Sequence, residues 1–315
     1  MDLFPSSAPH WHLILNHFPS IGLIIAFGIF LASFYLRSED LRRTSLVLFV
    51  VLALLTIPTF VTGAAARWQI QNDPGISLDI IAAHQDAALY AFMLVLLTGW
   101  LSWFALWQYR RFTQPRRFMM PAILVSAVLG LAALVRTGNL GGDINHPELG
   151  ADAAMSAGAA ATGSTTSIME WILATASSWP ALEAAHFAGM AVLFGVVVLI
   201  VARVFGLARS VPYSAFHRLL PLGVFGFMVN VITGMLFFVA DSGRYTAMTN
   251  SFYPKMALIA IGGIAILYFT VFDRPWGLKS GDDAPMVSKV VAAATAAMWA
   301  GVIIYGRLLP YLEGG

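Results

Sequence analysis

Eight long runs of apolar residues with few or no charges limit the fold of this chain more than any other feature. They centre on residues 18–36, 44–63, 87–109, 118–135, 184–202, 219–240, 256–272 and 290–305. Each is close to the length of about 17–25 residues that an α-helix needs to cross a bilayer. Charged residues make up only 11% of the 315 residues, against about 25% in soluble domains. The sequence therefore predicts an all-α membrane protein with eight transmembrane helices.

The positive charges between these runs predict the orientation, because cytoplasmic loops carry an excess of Lys and Arg. One set of loops contains Arg37, Arg42, Arg43, Arg110, Arg111, Arg116, Arg117, Arg203, Arg209, Arg218, Arg274, Lys279 and Lys289. The other side contains only Arg67, Arg136, Arg244, Lys255 and Arg307. We therefore expect both termini outside, in a multi-pass protein of a bacterial inner (plasma) membrane. No Lys or Arg precedes residue 17, so a cleaved signal peptide is not expected.

The two halves of the sequence share features at a nearly constant spacing, which predicts a duplication. The matches are His17-Phe18 with His186-Phe187 at 169 positions, and Thr62-Gly63 with Thr233-Gly234 and Arg136 with Arg307 at 171. Four helices per repeat keep both repeats in the same orientation, so we expect two parallel-related four-helix bundles. The bundles are predicted at 1–137 and 179–315. The outer linker at 138–178 either includes a short interfacial helix around Trp171 or is a disordered spacer.

Two composition features exclude classes of function. The chain has no cysteine, which excludes disulfides, thiolate haem ligation, iron–sulfur clusters and cysteine nucleophiles. A formal net charge of +2 gives no reason to expect nucleic-acid binding.

Histidines at the outer ends of the spans are the main candidates for chemistry. His17 begins the first span and His84 lies at the outer end of the third, so both can lie at similar depth in one bundle. Two neutral imidazoles facing each other across a bundle are what the iron of a b-type haem needs. Ionisable residues inside spans are functional candidates by default. The alternative is an interfacial histidine that only bonds to headgroups or to a neighbouring carbonyl.

Further histidines extend the set of candidate metal ligands. His12 precedes the first span, with His10 two residues before it, and His146 follows a Gly-Gly pair in the outer loop. His146 could fold back over the site. His217 lies beside Arg218 at an inner helix end, and we interpret it as an interface residue.

The second half keeps one histidine, His186, and has Lys255 where the second would fall. Glu183 lies three residues before His186, on the same helical face, and could orient its ring. Three interpretations stay open: a second haem with a weaker or absent partner ligand, a quinol or proton site, and a scaffold that has lost its cofactor. The first is slightly favoured.

Cations at the outer helix ends fit the same placement of a haem. The cations at these ends, where haem propionates would emerge, are Arg67, Arg136, Lys255 and Arg307. Arginine suits bidentate pairing with carboxylates. Snorkelling of these side chains to lipid phosphates is an equal alternative.

Two short motifs carry a family resemblance. Residues 12–19, His-Leu-Ile-Leu-Asn-His-Phe-Pro, resemble the His-Pro-x-x-x-His-Phe-Pro opening of a small four-helix prokaryotic membrane family, with Leu13 in place of the proline. His84 and Gly141-Gly142 with His146 resemble that family's later features. Trp179-Pro180, Glu183, His186 and Lys255-Met256 are similar to CopD-like and cytochrome-b-type membrane domains. The resemblance implies a cytochrome-b-like membrane subunit, and it adds copper handling as an alternative function.

The function expected from these residues is electron transfer by a b-type haem, between a membrane quinol and a periplasmic redox partner. That partner would be a c-type cytochrome or a dehydrogenase subunit. One haem b is expected, a second only if His186 also binds one, and a bound quinone fits the same role. Candidate ligands occur only near the outer face. The alternatives are a copper- or metal-handling transporter and a non-catalytic membrane anchor in a larger complex. Whether the chain is itself an enzyme stays open, and an oxidoreductase subunit is favoured.

Overall fold

All regular elements in the described part of the chain are helices. A computed structural model describes residues 5, 7–112, 114–145, 172, 174–175, 177–272 and 277–312. The helices are α1 (Ala8–Leu15), α2 (His17–Tyr35), α3 (Glu39–Ile70), α4 (Leu78–Arg111), α5 (Met119–Asn145), α6 (Ser178–Val204), α7 (Tyr213–His217), α8 (Leu220–Ala240), α9 (Ser242–Ala247), α10 (Phe252–Val271) and α11 (Met286–Leu312).

Eight of the described segments are long and apolar enough to cross a membrane, which confirms the predicted class and number of spans. They are Ala8–Tyr35, Glu39–Ile70, Leu78–Arg111, Met119–Ile144, Ser178–Val204, Tyr213–Ala240, Phe252–Val271 and Met286–Arg307. The first span combines α1 and α2, and the sixth combines α7 and α8. The predicted interfacial helix around Trp171 lies outside the described residues.

Helix starts follow ordinary capping chemistry. The Ser7 hydroxyl accepts a hydrogen bond from the backbone N–H of His10 at the start of α1, where a proline occupies the first turn. The Ser38 hydroxyl accepts one from Leu41 at the start of α3, followed by Glu39 and Asp40 in the first turn. Such caps satisfy backbone donors that no helical carbonyl can reach. They set where α1 and α3 begin, and these two helices carry part of the candidate site.

The chain divides into two compact units. The first contains the described residues of Met1–Ser102, Arg116–Ile172 and Val239–Thr246, and the second those of Trp103–Pro115, Leu173–Phe238 and Ala247–Gly315. In the first unit α1 and α2 both pack on α3, and in the second α11 packs on both α6 and α10. The tandem bundles predicted at 1–137 and 179–315 stay a prediction.

Exposed apolar side chains mark surfaces that suit lipid. Along α2, Ile21, Ile24 and Ile25 are each more than half exposed, whereas Leu23 and Ala26 are fully buried. A helix that is apolar all round gives no amphipathic signal, so only the packing distinguishes these faces.

Candidate functional site

His12 lies on a seat formed by one turn of α3 in the first unit. Its Nδ1 donates a hydrogen bond of 3.1 Å to the carbonyl oxygen of Thr59. A Cβ added to Gly63, one turn further along α3, would lie 2.8 Å from Cε1 of His12. The imidazole therefore occupies the space that any other residue at position 63 would fill.

The break between α1 and α2 supports this placement. Pro19 has no N–H to donate to the carbonyl of Leu15. The hydroxyl of Thr59 shares its proton between that oxygen, at 3.2 Å, and the carbonyl oxygen of Leu55, at 2.9 Å. Thr59 thus binds the first span twice, through its hydroxyl at Leu15 and through its carbonyl at His12. These bonds fix α1 against α3.

His84 lies on a seat of the same kind on α5. Its Nδ1 donates to the carbonyl oxygen of Thr137 at 2.9 Å. A Cβ added to Gly141, one turn later, would lie 3.1 Å from Cε1 of His84. Each histidine therefore bonds to a threonine carbonyl and lies against a glycine four residues beyond it.

The two seated histidines lie close together. The ring centroids of His12 and His84 are 6.4 Å apart and the ring planes meet at 86°. A carbonyl oxygen only accepts, so both rings carry their proton on Nδ1 and have a lone pair on Nε2. Neither Nε2 has a hydrogen-bond partner among the described residues. Two half-buried imidazoles that each carry an Nε2 lone pair thus lie next to each other.

The ring separation suits one metal atom between two imidazoles. With a metal–nitrogen distance of about 2 Å and about 1.1 Å from nitrogen to ring centroid, the centroids of two imidazoles on opposite sides of one metal atom would lie about 6.2 Å apart. Within the described ranges, no cluster of three or more His, Cys, Asp or Glu is placed to hold a metal ion. The pair therefore fits a metal whose other ligands come from elsewhere, as the porphyrin supplies them in haem.

Each helix that seats a histidine of the pair also carries an arginine near the seat. Arg67 follows Gly63 by one turn on α3, and its guanidinium donates to the side-chain oxygen of Gln85, the neighbour of His84. Arg136 immediately precedes Thr137 and is exposed. Either cation could pair with a carboxylate carried by a ligand of the two histidines.

The partner of His84 in the structure is His12, whereas the sequence analysis expected His17. The side chain of His17 is exposed, and its Nδ1 donates to the carbonyl of Leu13 at 2.6 Å. His10 is exposed as well. His146, the other candidate ligand of this half, lies outside the described residues.

Searches with protein-family models, curated proteins and solved structures found no match to this chain.

In the second unit, His186 bonds to a threonine hydroxyl. Its Nδ1 lies 2.8 Å from Oγ1 of Thr233 on α8. Lys255 on α10 is half-buried and close enough to His186 for electrostatic interaction. Glu183, expected to orient His186, instead accepts a hydrogen bond of 3.1 Å from Nε1 of Trp179 and is exposed. Arg307 is also exposed.

His217, which we interpreted as an interface residue, is buried in the second unit with 3% of its surface exposed. Its ring stacks on Trp107 at 6.2 Å between centroids. The indole Nε1 of Trp107 donates to the His217 carbonyl at 2.9 Å. This histidine packs between elements and takes no part in the pair.

Sequence reasoning missed Thr59 and Thr137, which orient the two rings. A signal for them exists: Thr-x-x-x-Gly occurs at two places in the chain, Thr59 to Gly63 and Thr137 to Gly141. In a helix the carbonyl of residue i points towards residue i+4. Glycine at i+4 leaves that oxygen open to a neighbouring side chain, so the pattern marks a helix surface that can seat an imidazole.

Proposed function

We propose that this protein is a b-type haem membrane subunit in which His12 and His84 bind the iron. The observation that carries the proposal is the pair of imidazoles 6.4 Å apart, each with Nδ1 bonded to a backbone carbonyl. Bonding of this kind orients a metal-binding histidine and raises its basicity. A bound haem would supply a one-electron carrier.

The residues around the pair would each have a defined role in binding. The carbonyls of Thr59 and Thr137 keep the proton on Nδ1, so Nε2 is the nitrogen available to the iron. Gly63 and Gly141 leave the rings room to lie against their helices. Arg67 and Arg136 would pair with the propionates.

The electrons would pass between a quinol in the membrane and a periplasmic redox partner, either a c-type cytochrome or a dehydrogenase subunit. The choice of a periplasmic partner follows from the loop charges, which predict that the helix ends with His12 and His84 lie at the outer face of a bacterial inner membrane. The two halves would form parallel-related four-helix bundles with both termini outside. No inner pair of ligands is apparent in the sequence, so electron exchange would be confined to the outer half of the bilayer.

Copper handling is the second candidate, and the same pair of rings favours it. Imidazole is a good copper ligand, and two opposed nitrogens can bind one copper ion without a porphyrin. A metal-handling transporter would need further ligands along a path, and the 13 methionines form no tight Met-x-x-Met cluster. A non-catalytic membrane anchor is the third candidate.

An absorption spectrum of the purified full-length protein, with a metal analysis, tests this proposal. We expect b-type bands on reduction and about one iron per chain. A colourless protein that contains copper would favour the second candidate. A colourless and metal-free protein, also after incubation with haem, would leave only the anchor.

A further inference from the structure

The second unit contains a site built on the same plan as the histidine pair, with one ligand replaced. In the first unit, His12 lies against Gly63 and His84 against Gly141. In the second, the nearest side-chain atom to a Cβ added at Gly234 is Cε1 of His186, at 3.5 Å. The nearest atoms to one added at Gly306 are Cε and Nζ of Lys255, at 3.7 Å. Each unit thus brings a side chain from its first and third spans onto glycines of its second and fourth.

The sequence spacing supports this correspondence. Gly63 and Gly234 are 171 positions apart, and so are His84 and Lys255. The first-span histidines of the two sites, His12 and His186, are 174 positions apart. This exceeds the spacing of 171 by three residues, which is nearly one helical turn. The plan of the site is retained, and a lysine stands where the second imidazole would be.

The replacement changes what the site can bind. The hydroxyl of Thr233 donates to the carbonyl of Val229 at 2.7 Å, so its oxygen accepts the Nδ1 proton of His186. Nε2 of His186 is therefore an acceptor, with no partner among the described residues. A protonated lysine has three donors and no lone pair for a metal. The site pairs one acceptor nitrogen with one cationic donor.

Lys255 also has no side-chain partner within the described part of the chain. A half-buried ammonium in a membrane span is unfavourable unless it pairs with another group. A ligand with an acceptor oxygen would satisfy it.

An aromatic wall adjoins these two polar groups. The ring of Phe237 lies 5.9 Å from that of His186 and 4.8 Å from that of Trp179, between centroids. Aromatic side chains pack well against flat apolar rings. The site therefore suits a planar ring that carries a hydroxyl on one side and an oxygen acceptor on the other.

We propose that this site binds the headgroup of a quinol. One ring hydroxyl donates to Nε2 of His186, and the other oxygen accepts from Lys255. A phospholipid phosphate fits less well, because its oxygens have no proton to give and would face the lone pair of Nε2. The choice of ligand rests on the proposed function, which needs a quinol as its electron donor.

Photolabelling with an azido derivative of a short-chain ubiquinol, kept reduced under anaerobic conditions, tests binding alone. The full-length protein in lipid nanodiscs is illuminated with this probe, and labelled peptides are mapped by mass spectrometry. We expect label on α6 and α8 near Trp179 and Phe237. It should fall at least about tenfold in Lys255→Met and in His186→Phe, since each loses a hydrogen bond to the ligand. Lys255→Arg should retain most of the label, since it keeps a cationic donor.

Two comparisons separate this inference from the proposed function. Label should be unchanged in His12→Ala and His84→Ala, whether or not the wild-type protein contains haem. Labelling of Lys255→Met at the wild-type level overturns the inference, as does label that excess phosphatidylglycerol removes. The size-exclusion profile of each variant shows whether it is folded. Should Lys255→Met fail to fold, labelling of His186→Phe at the wild-type level overturns the inference instead.

Discussion

The orientation of each imidazole depends on a single backbone carbonyl and on a missing side chain. Thr59 and Thr137 supply the carbonyls, and Gly63 and Gly141 supply the space. An outer contact of this kind controls ligand affinity because it fixes both the tautomer and the ring direction. The glycines are therefore as much part of the site as the histidines.

Replacing Gly63 by alanine should weaken haem binding. The added Cβ would lie 2.8 Å from Cε1 of His12, so the ring must move and its bond to Thr59 is lost. We expect affinity to fall by about 10–100-fold, as when an outer partner of a metal ligand is removed. Titration with haem, followed by absorption, measures this. Gly28→Ala is the matched control, because a Cβ there meets no atom within 4 Å. Equal haem affinity in the two variants would show that haem binding does not depend on the contact between His12 and Gly63.

The sequence paired His84 with His17, whereas the structure places His12 beside His84. Five residues along one helix turn the direction of a side chain by about 140°, so His12 and His17 point to different sides. The first span is apolar all round, and its pattern does not tell which side faces α3. That choice depends on tertiary contacts, the bonds of Thr59 to Leu15 and His12.

Close helix crossings in the second unit depend on glycine pairs. A Cβ added to Gly226 on α8 would lie 2.7 Å from the carbonyl oxygen of Gly189 and 3.0 Å from the nitrogen of Leu193. Both atoms belong to the backbone of α6 and cannot move alone. Small residues of this kind let membrane helices approach, and this pair makes a contact within the chain, which the sequence alone did not establish.

The variant Gly226→Ala should therefore destabilise the second unit. Overpacking against a backbone costs about 1–3 kcal/mol, and the midpoint of thermal unfolding in detergent should fall. Gly195→Ala on α6 is the control, since a Cβ there has no neighbour within 4 Å. An equal midpoint in the two variants would mean that this crossing does not hold the helices together.

A buried arginine joins two loops of the second unit. Arg203 at the end of α6 is fully buried. Its guanidinium donates to the carbonyls of Val211, Lys279 and Asp282, at 2.7, 2.9 and 3.3 Å. The sequence analysis counted Arg203 among the inner loop charges. Its burial was not predictable, because the two loops are 68 or more positions apart.

Arg203→Met should lower the free energy of unfolding by about 2–4 kcal/mol, because hydrogen bonds from a charged donor are lost and carbonyls are left without a partner. The control is Arg209→Met. That side chain pairs with Asp283 at 3.1 Å, with both groups about half exposed, and surface pairs contribute less than about 1 kcal/mol. Chemical denaturation of the two variants compares the effects. A smaller loss for Arg203→Met than for Arg209→Met would show that the buried bonds are not stabilising.

At the scale of the whole molecule, composition and run length were sufficient for the all-helical class and the eight spans. These depend on bilayer thickness and on backbone hydrogen bonding, which act on every residue alike. Side-chain partners were less predictable, because they depend on a few specific contacts. The orientation and the two-bundle arrangement stay predictions.

Cysteine labelling tests the orientation cleanly, because the chain has no native cysteine. Asn72 and Gln114 are exposed in the loops before and after α4. A membrane-impermeant maleimide applied to intact cells or spheroplasts should label Asn72→Cys, and should label Gln114→Cys only after lysis. The opposite pattern would invert the topology and place the histidine pair at the cytoplasmic face.

If His12 and His84 together bind a haem, the reduced-minus-oxidised absorption spectra of matched variants will depend on these two histidines alone. Wild-type protein and the exposed-histidine variants His17→Ala and His10→Ala should show the same b-type bands per chain. His12→Ala and His84→Ala should each lose them while eluting as folded protein. Bands that survive in His12→Ala and disappear in His17→Ala, or a wild-type protein that binds no haem, would contradict the account.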